Sequence, residues 1–218
     1  MSWKTNLAGL APSSTLTSEM TNSDDGDSAT ASKAGPGKKE RLVSAAVNLL
    51  YRQGVENTTL ADIAHAADVP LGNVYYYFKT KDEIVTAVIE AHVHDTEETI
   101  ASLDRRHRSP KGRLKALIKQ LTDQRDLIAQ YGCPHGTLCS ELEKRTGGGD
   151  YATVRLMAIP IEWTERQFRA MGRHDAHDLA VEFMAAYQGA AVLTHALRQP
   201  ELIAHEGRRL ERWIDSLA

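Results

Sequence analysis

The segment that most constrains this chain runs from Thr59 to Phe78 and reads TLADIAHAADVPLGNVYYYF. It has the pattern of two short helices joined by a tight turn, with Thr59 as the N-cap of the first helix and Pro70 opening the second. Helices this short do not form stably in isolation. They are typical of a helix-turn-helix, in which the second helix is offered to the major groove of duplex DNA. Residues 59–78 are therefore predicted to form a DNA-binding motif.

The second helix of this motif carries side chains suited to DNA. Val74 and Phe78 are four residues apart and can face inward, but three consecutive tyrosines cannot all be buried in so short a helix. Periodicity alone favours an ordinary core helix, whereas the residue types favour a helix that contacts DNA. Tyrosine hydroxyls can donate to phosphate oxygens, and an asparagine amide suits an adenine edge. Hydroxyl and free N–H groups at a helix N-terminus favour an anion. The predicted DNA-contacting residues are Thr59, Gly72, Asn73, Tyr75, Tyr76, Tyr77, Lys79 and Lys81.

A longer pattern surrounds these residues. The runs YRQG (51–54), TTLADIA (58–64), GNVYYYF (72–78) and KTKDE (79–83) follow one another in order. With them, residues 38–97 resemble the N-terminal domain of TetR/AcrR-type transcriptional regulators. The resemblance implies a three-helix DNA-binding domain followed by a larger helical domain for ligand binding and dimerisation. It also implies phosphate contacts at Thr59, Tyr76 and Lys81, and base or groove contacts around Gly72, Asn73 and Tyr75.

The chain departs from the family pattern just before the glycine of the second helix. Pro70 and Leu71 stand where the family often has a polar pair, so a phosphate-binding hydroxyl and a charge are missing. Leu71 is instead suited to contact a thymine methyl group. Tyr77 replaces a frequent histidine. The preferred operator sequence is therefore not predictable from the family.

The predicted fold is all-α in three parts, because no segment shows sustained alternation of apolar and polar residues. Residues 1–36 form a Ser- and Thr-rich tail that is predicted to be disordered, and Met20 within it is a second candidate start. Residues 37–97 form the DNA-binding domain, and residues 98–218 form the ligand-binding and dimerisation domain. Caps and breakers in the last part predict helices over about 110–131, 137–144, 151–171, 176–197 and 200–217. A flexible break is predicted at Gly147-Gly148-Gly149, and a kink at Pro160.

The C-terminal part is predicted to hold a small-molecule pocket and a dimer interface. Apolar and polar side chains around Pro160 are candidates for the pocket wall: Tyr131, His135, Met157, Ile161, Trp163, Phe168 and Tyr187. In the family, the last two helices pair with their copies in a second subunit. The residues predicted to form this interface are Phe183, Ala186, Ala190, Leu193, Leu210, Trp213 and Leu217. The expected partners are a DNA operator, a second copy of the chain and a small-molecule effector, which together describe a homodimeric repressor released by that effector.

Two other functions compete with this interpretation. Cys133 and Cys139 flank His135, and a nearby imidazolium would lower a thiol pKa, as a redox-sensing regulator requires; two inert cysteines are the simpler interpretation. An all-helical enzyme is disfavoured, because the sequence has no nucleophile elbow or phosphate-binding loop.

No metal site and no cofactor are predicted. The two cysteines among 218 residues favour a reducing cytoplasm, and no apolar run is long enough to cross a membrane.

Overall fold

The computed structural model describes residues 37–146 and 151–217, and every regular element in these ranges is an α-helix. The predicted all-α class is therefore confirmed. The helices are α1 (Lys38–Gln53), α2 (Leu60–Ala66), α3 (Leu71–Tyr77), α4 (Lys81–Arg106), α5 (Pro110–Thr122), α6 (Arg125–Tyr131), α7 (Pro134–Thr146), α8 (Tyr151–Ala170), α9 (Ala176–Leu197) and α10 (Pro200–Ser216). The predicted disordered tail and the glycine break at 147–149 lie outside the described residues. Within these ranges, no helix combines the length and apolarity needed to cross a bilayer.

Helices α1, α2 and α3 form the predicted helix-turn-helix unit. Thr59 caps α2 by accepting a hydrogen bond from the backbone N–H of Asp62, and the Asp62 carboxylate accepts one from the N–H of Thr59 in return. Asp68 turns the chain in the left-handed region at φ 51°, a conformation that Asp tolerates better than most residues. Pro70 then directs the chain into α3.

The core beneath this unit is shared with the second half of the chain. Leu42 of α1, Ile63 of α2 and Val74 of α3 are all fully buried in it. Leu142 of α7 and Leu156 of α8 pack into the same core. The DNA-binding unit is therefore held against the C-terminal part by continuous apolar packing.

Helix α4 joins the two halves without a break. Its N-cap Thr80 accepts a hydrogen bond from the N–H of Glu83 at 3.2 Å. Val85 in its first turns lies in the first core, whereas Leu103 near its end lies in a second core. The predicted domain boundary between residues 97 and 98 falls inside this helix, because one helix supplies apolar side chains to both cores.

The second core is formed by α5, α6, α8, α9 and α10, with α9 packed against α6, α8 and α10. Its largest fully buried side chains are Trp163, Phe168 and Phe183. Pro160 lies inside α8, where the hydroxyl of Thr164 donates to the Pro160 carbonyl at 2.7 Å. The buried hydroxyl of Thr164 is thereby satisfied within the helix.

Two helix predictions need correction. The helix expected over residues 110–131 is two helices, because the backbone leaves the helical region at Gln124 (ψ 11°). The helix expected to begin near Thr137 begins at Pro134. Proline was read there as a breaker, but it is equally suited to the first position of a helix.

Candidate functional sites

Helix α3 presents two of its three tyrosines to solvent. Val74 is fully buried and Phe78 is 4% exposed, so both anchor the helix to the first core. Tyr75 and Tyr76 lie on the opposite side and are 48% and 78% exposed. Tyr77 is half-buried against the core, with its ring edge-on to that of Tyr76 at a centroid distance of 5.0 Å. Two rings rather than three are therefore available to another molecule, because the helical rotation returns Tyr77 to the inner side.

The start of α3 is accessible as well. Gly72 is exposed, and a Cβ atom at this position would have nothing within 4 Å, so packing within the subunit does not require glycine there. Leu71 is 43% exposed. Asn73 is partly buried, and its backbone N–H donates to the Pro70 carbonyl at 2.8 Å. A bare stretch of backbone, an apolar side chain and an amide thus lie beside the two exposed tyrosines.

The polar groups around α3 have hydrogen-bond partners within the chain. Lys79 Nζ donates to the Tyr75 carbonyl at the end of α3, and Lys81 Nζ donates to the Glu56 carbonyl at 3.2 Å. The Thr59 hydroxyl donates to Asp62 Oδ2 at 2.7 Å, and this hydrogen bond lowers the pKa of Asp62. In the free chain the Asp62 carboxylate therefore accepts from both the hydroxyl and the N–H of Thr59, and the predicted phosphate contact at Thr59 stays a prediction.

Helix α7 forms polar contacts with the DNA-binding unit. Glu141 Oε2 accepts a hydrogen bond from the backbone N–H of Val55 at 2.7 Å. Arg145 pairs with Glu56 at 2.8 Å and with Asp82 at 3.2 Å. The turn before Val55 is made by Gly54 at φ 83°, where a Cβ would lie 2.4 Å from Glu141 Oε1. These contacts join residues more than 60 positions apart, so no local sequence pattern could have indicated them.

A cavity of about 90 Å³ lies between α4, α5, α7, α8 and α9. Three of the predicted pocket residues, His135, Met157 and Tyr187, are part of its wall. Sequence reasoning missed most of its other polar residues, which come from helices with no obvious pocket signal: Asp95, Thr96, Thr99, Gln120, Gln124 and Gln188. The first turn of α7 supplies His135 to this wall, so the same helix contacts both the cavity and the DNA-binding unit.

The remaining predicted pocket residues lie elsewhere. Trp163 is fully buried in the second core, where its ring nitrogen donates to Asp104 at 3.2 Å. Phe168 is also fully buried and contacts Trp213 edge-on. Ile161 packs against the same core. Tyr131 lines a different cleft between α1 and α6, where its ring lies 5.4 Å from that of Tyr51. Their aromatic and apolar character reflects core packing, which the periodicity did not distinguish from a pocket wall.

The chemistry around the cysteines does not fit the redox alternative. Burial lowers the pKa of His135 to about 4, so its imidazole is neutral near pH 7. Burial, with smaller effects of Cys133 and Glu143, raises the pKa of the Cys139 thiol to about 11. Cys133 itself is buried. The imidazolium that was expected to activate a thiol is disfavoured near pH 7, because desolvation of His135 penalises its charged form.

The predicted dimer residues divide between core and surface. Phe183 and Leu210 are buried within the subunit, so these two are corrected to core positions. Trp213 is partly buried, with its ring edge-on to that of Phe168. Ala186, Ala190 and Leu217 are partly buried against the same core. Leu193 is 55% exposed. It belongs to a small-residue and apolar face of α9 that is exposed in the single chain: Val181, Ala185, Gly189, Val192, Leu193, Ala196 and Leu197.

A short exposed helix, positioned by a capped partner helix on an all-α scaffold, defines the helix-turn-helix class of DNA-binding proteins. Residues 42–88 match the family described as "Bacterial regulatory proteins, tetR family". Over 189 residues the chain is 33% identical to the probable HTH-type transcriptional regulator ArpR of Pseudomonas putida, spanning 82% of this chain and 88% of that protein. The chain therefore belongs to the TetR family and is a helix-turn-helix, DNA-binding transcriptional regulator.

Two further comparisons agree with this assignment. The chain is 26% identical over 167 residues to the HTH-type transcriptional repressor DhaR of Mycobacterium sp. (strain GP1), which covers 70% of this chain and 79% of that protein. A crystal structure of a TetR transcriptional regulator from Legionella pneumophila superimposes with a TM-score of 0.72 over 83% of this chain and 97% of the other. At 17% identity, that structure shows the shared fold alone.

Proposed function

We propose that this regulator is a homodimeric repressor that leaves its operator when a small-molecule effector occupies the cavity beside α7. The observation that carries the proposal is the pair of exposed tyrosine rings on α3, Tyr75 and Tyr76, in a family of DNA-binding regulators. Repression is supported by the relative DhaR, which is named as a transcriptional repressor. Because such a protein acts on the chromosome, the proposal places it in the cytoplasm.

In the proposed complex, α3 enters the major groove. The exposed hydroxyl of Tyr76 donates to a phosphate oxygen, and the ring of Tyr75 and the side chain of Leu71 meet thymine methyl groups. Gly72 lets the backbone come close to the DNA, and Asn73 turns its amide to a base edge. Further phosphate contacts come from lysines beyond the helix, Lys79 and Lys81.

The proposed dimer forms through the exposed face of α9. Val192 and Leu193 are 65% and 55% exposed in the single chain, and Gly189 has open space around the position of a Cβ. Small residues let two helices approach closely, and apolar residues gain by leaving water. A two-fold axis through this face gives two copies of α3 for half-sites about 34–36 Å apart on one side of the duplex.

The proposed release uses α7 as the connection between the cavity and the DNA-binding unit. His135 at its start lies on the cavity wall, and Glu141 two turns later is hydrogen-bonded to Val55. A ligand that displaces the start of α7 changes the position of Glu141 as well, because both belong to one helix. Release follows where the ligand has higher affinity for a conformer whose α3 helices are wrongly spaced for DNA.

The test is operator binding by two variants of the interface. An operator is first selected from a random duplex library with the wild-type protein, and affinity is then measured by fluorescence anisotropy at several salt concentrations. Tyr76→Phe is expected to weaken binding at least about tenfold, since each subunit of the dimer loses one hydrogen bond to a charged acceptor. Lys81→Ala is expected to weaken binding and to reduce the salt slope by about two, because each subunit of the dimer loses one phosphate contact.

The matched control is Lys119→Ala. Lys119 is an exposed lysine on α5 that pairs with Asp123 at 3.0 Å and lies outside the helix-turn-helix unit. The Lys119→Ala substitution removes one positive charge per subunit, as Lys81→Ala does, and is expected to leave operator affinity and the salt slope unchanged. The proposed docking is wrong if Tyr76→Phe and Lys81→Ala bind the operator as tightly as this control does.

A further inference from the structure

Hydrogen-bonding groups on the cavity wall have weak partners within the protein. Tyr187 is 6% exposed, and its hydroxyl donates to Cys133 Sγ at 3.9 Å. The amide of Gln188 donates to the same sulfur at 3.6 Å and to Met157 Sδ at 3.8 Å. Sulfur is a weak acceptor, so these donors gain little from the contacts. An oxygen atom of a ligand in the cavity would be a better partner for either group.

The opposite part of the wall shows the same property. Gln120 Nε2 donates to Thr99 Oγ1 at 3.4 Å, and Gln124 Nε2 donates to the backbone carbonyl of Gln120 at 3.5 Å. Both distances are longer than the usual 2.7–3.2 Å range for N–H···O hydrogen bonds. The amide groups that face the cavity are therefore able to exchange these contacts for shorter ones to a ligand.

The wall carries little charge. Among the described residues that line the cavity there is no Lys or Arg, and Asp95 supplies the single carboxylate. His135 is neutral near pH 7 because burial lowers its pKa. An anionic ligand would leave water without meeting a cation. The wall therefore disfavours anions, and it provides one carboxylate in return for the water that a cation would lose.

The size of the cavity restricts the ligand further. Its volume is about 90 Å³, whereas an apolar cavity of about 150 Å³ is enough to hold benzene. Complete enclosure of a ligand with a single ring therefore requires the helices around the cavity to separate. Such a ligand binds the widened conformer more tightly than the one described here, and a difference in affinity of this kind is what shifts a conformational equilibrium.

Building on the proposed function, we infer that the effector is a small uncharged molecule that has one apolar ring and at least one hydroxyl or carbonyl group. The ring occupies the apolar part of the cavity, near Met157 and Met184. The oxygen takes the place of sulfur as the hydrogen-bond partner of Tyr187 and Gln188. Binding widens the cavity and displaces the start of α7.

Four probes that share a methyl-substituted benzene ring test this inference on the full-length protein: p-cresol (uncharged, with a hydroxyl), toluene (no polar group), 4-methylbenzoate (anion) and 4-methylbenzylamine (cation). Affinities are measured by titration calorimetry at pH 7. p-Cresol is expected to bind at least about tenfold more tightly than toluene, the worth of one good hydrogen bond. 4-Methylbenzoate is expected to bind more weakly still, because its charge leaves water and no cation is among the described residues that line the cavity. 4-Methylbenzylamine is expected to bind more weakly than p-cresol, because one carboxylate does not replace the water that its ammonium group loses. A charged probe that binds as tightly as p-cresol overturns the inference, as does the absence of p-cresol binding up to its solubility limit.

Two substitutions distinguish hydrogen bonding from simple filling of the cavity. In the Tyr187→Phe, Gln188→Met double variant, the preference for p-cresol over toluene is expected to fall to about twofold or less, because the donors that distinguish the two probes are gone. Toluene affinity is expected to stay the same, which also shows that the variant is folded. The control Tyr131→Phe removes a hydroxyl outside this cavity and is expected to keep the full preference. Retention of the preference in the double variant would overturn the assignment of these donors.

Operator affinity measured with and without p-cresol separates this inference from the proposed function. Discrimination among the four probes with no loss of operator affinity would refute the proposed release and support the ligand class. Release from the operator by 4-methylbenzoate or 4-methylbenzylamine, but not by p-cresol, would support release and overturn the ligand class. Discrimination together with release by p-cresol supports both.

Discussion

The hydrogen bond from the Val55 backbone to Glu141 is expected to contribute more to the junction of the two halves than any exposed ion pair there. The N···O distance is 2.7 Å, the acceptor is a carboxylate, and Val55 is fully buried. Hydrogen bonds to charged groups contribute about 1.5–3 kcal/mol. We expect Glu141→Ala to lower the free energy of unfolding by about 2 kcal/mol, which corresponds to a fall in Tm of about 4–8 °C for a chain of this size.

Arg145 provides the comparison. Its pairs with Glu56 and Asp82 are 2.8 Å and 3.2 Å long, but the two carboxylate side chains are 69% and 78% exposed. Exposed ion pairs contribute about 0.2–1 kcal/mol because water screens them and the side chains lose freedom. Arg145→Ala removes two ion pairs and Glu141→Ala removes one hydrogen bond to the backbone, yet the second is expected to be the more destabilising change.

The assay combines thermal unfolding at fixed protein concentration with amide hydrogen exchange at Val55. Loss of about 2 kcal/mol of local protection accelerates exchange of this amide by about 30-fold. The Arg145→Ala protein should exchange the same amide at close to the wild-type rate. The reasoning is refuted if Arg145→Ala lowers Tm as much as Glu141→Ala does, or if Val55 exchange in the Glu141→Ala protein matches that in the wild type.

Two further predictions concern assembly and acidity. Val192→Asp, on the exposed face of α9, should convert the dimer to a monomer in analytical ultracentrifugation. Val154→Asp, at a 50% exposed valine of α8, should leave the dimer intact. If the Val192→Asp protein is still a dimer, the interface lies elsewhere. Burial lowers the pKa of His92 to about 3 and that of His135 to about 4, from 6.5. Below pH 6.5 the unfolded chain therefore binds protons that the folded chain does not, and stability should fall as the pH drops from 6.5 towards 4. The loss reaches about 2 kcal/mol per histidine at pH 5. Denaturant unfolding at pH 7 and pH 5 measures this loss of unfolding free energy. The His135→Gln protein should lose about half as much stability over the same pH range. Equal stability of the wild type at both pH values would contradict the lowered pKa values of the two histidines.

The parts of the fold that depend on neighbouring residues were predictable from sequence. Thr59 with Asp62, and Ser109 before Pro110, are local capping patterns, and the structure places helix starts at both. The inward positions of Val74 and Phe78 followed from their spacing. These features depend on contacts within four residues, which a single sequence displays directly.

The parts that depend on distant residues were not predictable. Phe168 and Tyr187 are both aromatic residues on apolar helix faces, but one is enclosed by the second core and the other reaches the cavity. The difference is set by which helices pack around them. The contact of Glu141 with Val55 spans 86 positions and has no motif. The hydrogen bond from the Thr59 hydroxyl to Asp62, in contrast, joins residues three positions apart.

The unbroken course of α4 has a mechanical consequence. Its 26 residues give a rod about 39 Å long, with one end beside the DNA-binding unit and the other beside the second core. Tilting such a rod by about 5° about one end moves the opposite end by about 3 Å, roughly the rise of one base pair along the duplex. A sub-ångström adjustment close to the pivot is therefore amplified severalfold at the far tip, so a modest rearrangement of side chains suffices to spoil the fit of the protein to its target.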